Sequence, residues 1–277
     1  MSLMSSLFTS ADRDDIAREA LAAIDAACQI APFSARRPGI GLDDAYRVSA
    51  RMRELRVARG ERVVGRKIGF TNRTIWAEYG VYAPNWGFMF DTTVHDLAPQ
   101  HTLALAPFVE PRIEPEIVFR LADAPSGGMD EAALFGCIDW VAQGFEIVQS
   151  VFPGWKFAPA DTTVANAMHG ALLIGPRHPV GAGAANWLST LARFEIDLLR
   201  DGVVVDHGHA ANVLDGPLSA LRHLVGLLDH DPVNPPLAAG EIVTTGTLTR
   251  AFPVRPGESW STAVHGIALG GRPVRFT

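Results

Sequence analysis

The sequence has little cysteine and lacks a recognisable signal peptide. Its two cysteines, Cys28 and Cys137, lie far apart and form no CxxC pair. This pattern predicts buried free thiols in a reducing compartment. Asp12, Asp14 and Asp15 precede any apolar segment of the kind that a signal peptide requires, so we expect a cytoplasmic location.

Long apolar runs, internal repeats and an excess of basic charge are also absent. No apolar run approaches the length of a membrane span, and no repeat period indicates a solenoid. The net charge of −6 argues against a protein that binds nucleic-acid phosphates. With 48% hydrophobic residues among 277, the chain is long and apolar enough for a globular protein with a sizeable core.

Helical and strand-like patterns occupy different parts of the chain. Two helices are predicted in the first sixty residues, at 10–28 with Ser10 as N-cap and at 42–59 before Gly60. Further helices are predicted at 130–137 and 217–228. Most of the remaining predicted elements are strands, at 63–70, 113–121, 141–148, 171–174, 194–200, 203–205, 241–245 and 267–276. Asp201-Gly202 and Gly270-Gly271 are typical of hairpin turns. The pattern therefore predicts an α+β protein with an N-terminal helical part at 1–60 and a mixed, curled sheet at 61–277.

Two glutamates separated by one residue are the strongest chemical signal. Glu114 and Glu116 lie in a predicted strand, where residues two apart point to the same face. Two adjacent carboxylates require a cation between them, exposure to water, or a shared proton. Glu146 lies in an apolar stretch, where it either pairs with an arginine such as Arg112 or joins the first two glutamates around a metal. The three carboxylates together favour a hard divalent cation.

Three other segments carry residues that are suited to substrate binding or catalysis. Lys67 lies between a valine-rich run and a glycine, where it could anchor a carboxylate or act as an acid or base if burial lowers its pKa. His169 follows Asn166 in a stretch of small residues and is either structural or a proton-transfer group. The hydroxyl-rich segment 244–249 contains Gly246, which allows close approach of a ligand to the backbone.

Taken in order, these segments resemble the fumarylacetoacetate hydrolase superfamily, and within it the 2-oxopent-4-enoate hydratase and 4-oxalocrotonate decarboxylase branch. The resemblance covers nearly the whole chain and rests on five segments: 65–71, 112–117, 145–148, 161–166 and 240–247. It implies a mixed β-roll with an N-terminal helical part, a homo-oligomer, and a small 2-oxo acid as substrate.

The resemblance also implies roles for individual residues. Glu114, Glu116 and Glu146 would bind Mg²⁺ or Mn²⁺, Lys67 and His169 would be catalytic, and Phe70, Thr71, Asn72, Asn166 and Thr247 would bind substrate. The implied reaction is addition of water to a 2-hydroxypenta-2,4-dienoate in aromatic catabolism. The alternatives are decarboxylation or C–C hydrolysis of a related 2-oxo acid, and a non-catalytic partner subunit.

The chain departs from the usual pattern of this branch near the expected far end of the substrate. Ala165 replaces an aspartate, Met168-His169 replaces small polar residues, and Gln149-Ser150-Val151 replaces Asp-Ser-Arg. We therefore expect a conserved metal end and a changed distal pocket. Trp86, Trp155 and Phe70 are the predicted apolar lining of that pocket.

Overall fold

The computed structural model describes residues 8–181 and 187–277. Its helices are α1 (Ser10–Asp25), α2 (Phe33–Arg36), α3 (Leu42–Ala58), α4 (Trp76–Tyr79), α5 (Glu131–Gly136), α6 (Pro159–Val164), α7 (Trp187–Thr190) and α8 (Pro217–Asp229). Its strands are β1 (Val63–Gly69), β2 (Asn85–Phe90), β3 (Val94–Asp96), β4 (His101–Leu103), β5 (Arg112–Leu121), β6 (Ile138–Val148), β7 (His169–Ile174), β8 (His178–Pro179), β9 (Glu195–Arg200), β10 (Val203–His209), β11 (Ile242–Thr244), β12 (Phe252–Pro253), β13 (Ser259–His265) and β14 (Val274–Phe276). Among these residues no helix is long and apolar enough to cross a membrane.

The N-terminal helices form a layer with its own apolar core. Helix α1 begins after Thr9, whose side chain accepts a hydrogen bond from the Asp12 N–H, so Ser10 is not the N-cap. Ile16 of α1 packs with Met52 of α3 and Val164 of α6. This core therefore attaches α1 and α3 to the segment that leads into β7.

The strands of the described chain form two sheets. The larger is mixed, with the order β2-β1-β11-β5-β6-β7-β3, and β12 and β8 pair with β5 and β6. The smaller has the order β10-β9-β13-β14-β4. The central strands β5 and β6 are antiparallel over their whole length, and β1 is parallel to β11. This arrangement confirms the predicted α+β class and mixed, curled sheet.

The pattern of the chain predicts the long elements better than the short ones. The Asp201-Gly202 turn is confirmed, because both residues have positive φ and connect β9 to β10. The strand predicted at 267–276 is wrong except for its last three residues, and Gly270-Gly271 lies within a longer connection from β13 to β14. Cys137 is buried and free, but Cys28 is free and exposed, contrary to the prediction. The domain division at residue 60 stays a prediction.

Candidate functional site

Glu114, Glu116 and Glu146 come together because β5 and β6 are adjacent. Glu114 lies directly opposite Glu146 in the antiparallel register, and Glu116 follows two residues later on the same strand. One carboxylate oxygen from each residue lies within 4.8 Å of the other two. Glu116 and Glu146 are completely buried, whereas Glu114 is partly exposed. The sheet thus builds a pocket of three oxygen donors.

The buried carboxylates each have one oxygen with a protein partner and one without a hydrogen bond. Glu116 Oε2 accepts a hydrogen bond from the Gly246 N–H at 2.7 Å, and Glu146 Oε1 is 2.8 Å from His169 Nδ1. Glu116 Oε1 and Glu146 Oε2 have no hydrogen-bond partner. Such buried polar atoms are costly unless a ligand satisfies them. An all-oxygen donor set suits a hard divalent cation such as Mg²⁺ or Mn²⁺.

Lys67 supplies the nearby positive charge. Its Nζ donates a hydrogen bond to the Ala167 carbonyl at 3.0 Å and lies 3.4 Å from Glu146 Oε2. Burial favours the neutral lysine, but Glu146, Glu114 and Glu116 outweigh it and raise the pKa of Lys67. The condition for the acid–base role, a pKa lowered by burial, is therefore not met, and the charged form of Lys67 is favoured. One lysine and one divalent cation would together balance the three carboxylates.

The three carboxylates titrate differently because their partners differ. Burial raises the pKa of Glu114 to about 7, and burial together with the charge of Glu146 raises the pKa of Glu116. Burial acts on Glu146 in the same direction, but Lys67 and His169 outweigh it and hold the pKa of Glu146 below its usual value. Protons therefore compete with a cation mainly at Glu114 and Glu116.

A cavity of about 270 Å³ opens beside Glu114 and Lys67. Three of the five predicted substrate-binding residues line it: Phe70, Thr71 and Thr247. The hydroxyl of Thr71 is buried without a hydrogen-bond partner, so it is available to a ligand. The Thr247 hydroxyl donates to the Thr249 carbonyl at 2.9 Å and keeps its acceptor capacity.

Asn72 and Asn166, the other two predicted substrate-binding residues, do not line this cavity. The Asn166 amide exchanges two hydrogen bonds of 2.8 Å with the backbone of Phe88. The side-chain oxygen Oδ1 of Asn72 accepts hydrogen bonds from the backbone N–H and the hydroxyl of Thr74. These contacts hold both side chains to loops of the protein, and their role in substrate binding stays a prediction.

The loop that carries Asn166 is strained where it meets Lys67. Asn166, Ala167 and Met168 have consecutive φ values of 54°, 51° and 64°, although none is glycine. Such conformations cost about 1–3 kcal/mol each and often occur at functional sites. Gly87 permits the close approach, because a Cβ there would lie 2.5 Å from the Asn166 carbonyl oxygen. The loop thereby presents the Ala167 carbonyl to Lys67.

His169 is the first residue of β7, which pairs with β6 on the side away from β5. It is completely buried, and its ring nitrogens contact Glu146 Oε1 and, at 2.9 Å, Thr93 Oγ1. It lines a second cleft, beside Glu61 and Gln149, instead of the cavity at Lys67. Burial lowers the pKa of His169, although the adjacent Glu146 opposes this. Its predicted role as an acid or base in contact with substrate is not supported by this placement.

The wall of the cavity also carries aromatic and cationic groups. The Arg112 guanidinium stacks over the Trp155 ring, with 4.3 Å between its carbon and the ring centroid. Arg250 also lines the cavity and pairs with Asp206 at 3.2 Å. Sequence reasoning missed Arg250, because its approach to the site depends on folding and no motif marks it.

Trp86, by contrast, does not belong to the distal pocket. It is buried in the core and stacks on Tyr46 with 5.1 Å between ring centroids. Its predicted place at the far end of the substrate is therefore wrong. Trp155 and Phe70 do line the cavity, as predicted.

Comparison with known proteins identifies relatives along nearly the whole chain, although no protein-family model matches it. The chain is 30% identical over 256 residues to 2-hydroxyhexa-2,4-dienoate hydratase of Comamonas testosteroni, a match that covers 92% of this chain and 94% of the relative. It is 29% identical over 262 residues to 2-keto-4-pentenoate hydratase of Paraburkholderia xenovorans, with 94% and 93% covered.

Solved structures of related enzymes have a fold similar to that of this chain. The structure of 4-oxalocrotonate decarboxylase from Pseudomonas putida G7, complexed with magnesium and adipate, has a TM-score of 0.89 and 27% identity, covering 99% of this chain and 100% of that one. Fumarylpyruvate hydrolase from Pseudomonas aeruginosa, in complex with Mn²⁺ and pyruvate, shares only the fold, with a TM-score of 0.54, 17% identity, and 76% and 88% covered.

The fold and the carboxylate site thus define a lyase with the fumarylacetoacetate hydrolase fold and a site suited to a divalent metal. Within that superfamily, the chain belongs to the 2-keto-4-pentenoate hydratase and 4-oxalocrotonate decarboxylase branch.

Proposed function

We propose that this protein is a metal-dependent hydratase that adds water to a 2-hydroxypenta-2,4-dienoate (2-oxopent-4-enoate) or a close analogue in aromatic catabolism. The observation that carries the proposal is the cluster of three glutamates beside a buried lysine, in which Glu114 and Lys67 line a cavity of about 270 Å³. The named hydratase relatives, matched over more than nine tenths of the chain, support the reaction class.

Glu114, Glu116 and Glu146 would hold Mg²⁺ or Mn²⁺ through the oxygens that face one another. A bound divalent cation supplies Lewis acidity toward the carboxylate and 2-oxo oxygens of such a substrate. Gly246 and His169 hold the remaining oxygens of Glu116 and Glu146, so these two ligands are oriented before any cation arrives.

Lys67 and Thr71 would bind the acidic end of the substrate. The lysine ammonium has three N–H groups, one of which is used by the Ala167 carbonyl. A second faces Glu146 Oε2, 3.4 Å from Nζ, and the third can donate to an anionic substrate and stabilise negative charge that develops on its oxygens. The unpartnered hydroxyl of Thr71 supplies another donor in the same cavity.

Decarboxylation of a related diacid is the second candidate, and Arg112 is the observation that favours it. Its guanidinium lies at the cavity wall beside Trp155, where it would attract a second carboxylate. The structural relative that carries adipate, itself a diacid, is a decarboxylase. C–C hydrolysis has no comparable support, and the complete set of Lys67 and three carboxylates disfavours a non-catalytic subunit.

The decisive experiment is to follow loss of the ultraviolet absorbance of 2-hydroxypenta-2,4-dienoate with Mg²⁺, with Mn²⁺, and after chelation. We expect turnover that needs the metal and is lost in Glu116→Gln. Glu195→Gln, an exposed glutamate of β9, is the matched control and should keep full activity. Metal-independent turnover, or full activity in Glu116→Gln, would contradict the metal assignment.

A parallel assay separates the two lyase reactions. Release of CO₂ from an oxalocrotonate, with no hydration of the monoacid, would favour the decarboxylase. In that case Arg112→Gln should raise the KM for the diacid, whereas Arg120→Gln, an exposed arginine on the same strand, should not. Failure to turn over either substrate would favour the non-catalytic alternative.

We also propose a homo-oligomer, as the resemblance implies, and a cytoplasmic location, as the cysteine pattern predicts. The supporting observations are the branch membership and the two free cysteines. Light scattering of the purified protein tests the oligomer, and cell fractionation tests the location. A monomeric mass or a secreted protein would contradict these proposals.

A further inference from the structure

A chain of hydrogen bonds reaches Glu146 from the side opposite the cavity. The Phe90 N–H is 3.3 Å from Thr93 Oγ1, which lies 2.9 Å from His169 Nε2. His169 Nδ1 lies 2.8 Å from Glu146 Oε1. Thr93 is fixed in turn by its backbone, since its carbonyl accepts the Leu172 N–H of β7 at 2.8 Å.

The donors and acceptors in this chain have one consistent direction. An ionised carboxylate only accepts, so Nδ1 of His169 must carry a hydrogen to bond Glu146. In a neutral imidazole Nε2 is then an acceptor, and the Thr93 hydroxyl donates to it. The Phe90 carbonyl, 3.1 Å away, is a second possible acceptor for this hydroxyl, but the contact with Nε2 is shorter, at 2.9 Å.

We propose that His169 is a positioning residue for the metal site, which holds Glu146 Oε1 through its Nδ1–H tautomer so that Oε2 faces the cation. The proposal rests on the proposed metal function of Glu146. Hydrogen bonds to the outer oxygen of a ligand commonly set metal affinity.

A positioning role requires a hydrogen-bond donor at the place of His169 Nδ1, whereas a packing role requires only a side chain of suitable volume. Asparagine places an amide nitrogen close to the position of Nδ1 but has less volume than histidine, whereas leucine fills more of the space without a donor. A packing role predicts that His169→Leu does at least as well as His169→Asn. The positioning role predicts the opposite order for metal affinity.

The first test is titration calorimetry with Mn²⁺ on the full chain. We expect His169→Leu and His169→Ala to bind Mn²⁺ about 10–100-fold more weakly and His169→Asn to recover most of the affinity. His178→Asn, a histidine of β8 outside this site, is the matched control and should bind as the unaltered protein does. Equal Mn²⁺ affinity in folded His169→Ala and the unaltered protein would overturn the proposal.

The second test reads the tautomer directly and does not require a metal. In protein labelled with ¹⁵N in histidine, the resonances assigned through loss in His169→Asn should show a protonated Nδ1 and a bare Nε2. Thr93→Val, which keeps the shape of Thr93 but removes its hydroxyl, should alter this signature and weaken Mn²⁺ binding, whereas Thr93→Ser should preserve both. An Nε2–H tautomer would overturn the proposal even if His169→Leu and His169→Ala fail to fold.

Failure of the proposed function would give a different result. If the unaltered protein binds Mn²⁺ and fails to hydrate the dienoate, the reaction assignment is wrong but the role of His169 stands. If Glu116→Gln and the unaltered protein bind Mn²⁺ equally, the metal site itself is misplaced.

Discussion

Replacing Gly246 with alanine should disturb both the fold and the metal site, because the side chain of Thr71 lies where the added Cβ would be placed. It lies in the turn after β11 with φ of 93°, and its N–H donates to Glu116 Oε2 at 2.7 Å. An added Cβ would overlap the Thr71 hydroxyl and lie 2.9 Å from Thr71 Cβ. The hydroxyl can rotate away, but Cβ of Thr71 moves only with its backbone.

The size of the effect follows from these distances. Ordinary contact begins near 3.4 Å, so relief of the Cβ contact requires a shift of about 0.5 Å. The same shift takes the bond from the Gly246 N–H to about 3.2 Å, the limit of a good hydrogen bond. Overpacking costs about 1–3 kcal/mol, and the positive φ costs a similar amount for a residue with a side chain. We therefore expect a loss of about 3 kcal/mol in the free energy of unfolding.

Thermal unfolding and Mn²⁺ titration measure the two consequences. At about 2–4 °C per kcal/mol for a chain of this size, Gly246→Ala should unfold about 6–12 °C lower and bind Mn²⁺ more weakly. Gly226→Ala is the matched control, because it lies within α8 with nothing within 4 Å of its added Cβ. The control should unfold at the same temperature or slightly higher, since alanine is the better helix former. Equal unfolding temperature and Mn²⁺ affinity in Gly246→Ala would refute this reasoning.

Three further predictions concern charge in the interior. Calorimetry should show that Mn²⁺ affinity falls as the pH is lowered below about 7. The reason is that Glu114, whose pKa is raised to about 7, must lose its proton to bind the cation. An Mn²⁺ affinity that stays constant from pH 8 to 6 would contradict this. Mn²⁺ at a hundred times its Kd should stabilise the protein by about 2.7 kcal/mol, and thermal scans with and without chelator should show no such gain in Glu116→Gln. Glu241→Ala should lower the free energy of unfolding in denaturant by about 3 kcal/mol, because buried Arg66 loses its partner at 3.2 Å. The Mn²⁺ affinity should not change. An equally stable variant would show that Arg66 needs no counter-charge.

Much of the fold could be predicted because its long elements have strong local patterns. The apolar faces of α1, α3 and α8 and the buried strand β5 carry enough periodic signal to locate them. Strands β2 and β13 were missed. The pattern of β13 is weak because most of its residues are only partly buried, so they need not be apolar. All residues of β2, including its aromatic residues, are buried, so its sequence shows no alternation of apolar and polar residues.

The placement of Glu114 and Glu116 on the same face follows from local geometry, because side chains alternate between the two faces of a strand. The sequence by itself therefore determined the kind of site and two of its three carboxylates. Glu146 joins them only through the register of β5 with β6, which depends on contacts across the whole sheet.

Tertiary structure alone decided how the surrounding residues act. The charge of Lys67 results from three carboxylates that meet it only in the folded chain, and it reverses the expectation from burial. His169 lies behind Glu146 because β7 pairs with β6 on the side away from β5. Trp86 packs into the core, whereas Arg112 and Trp155 form the cavity wall. Side-chain chemistry is encoded residue by residue, but the charges, partners and cavity that give it a role arise from segments distant in the chain.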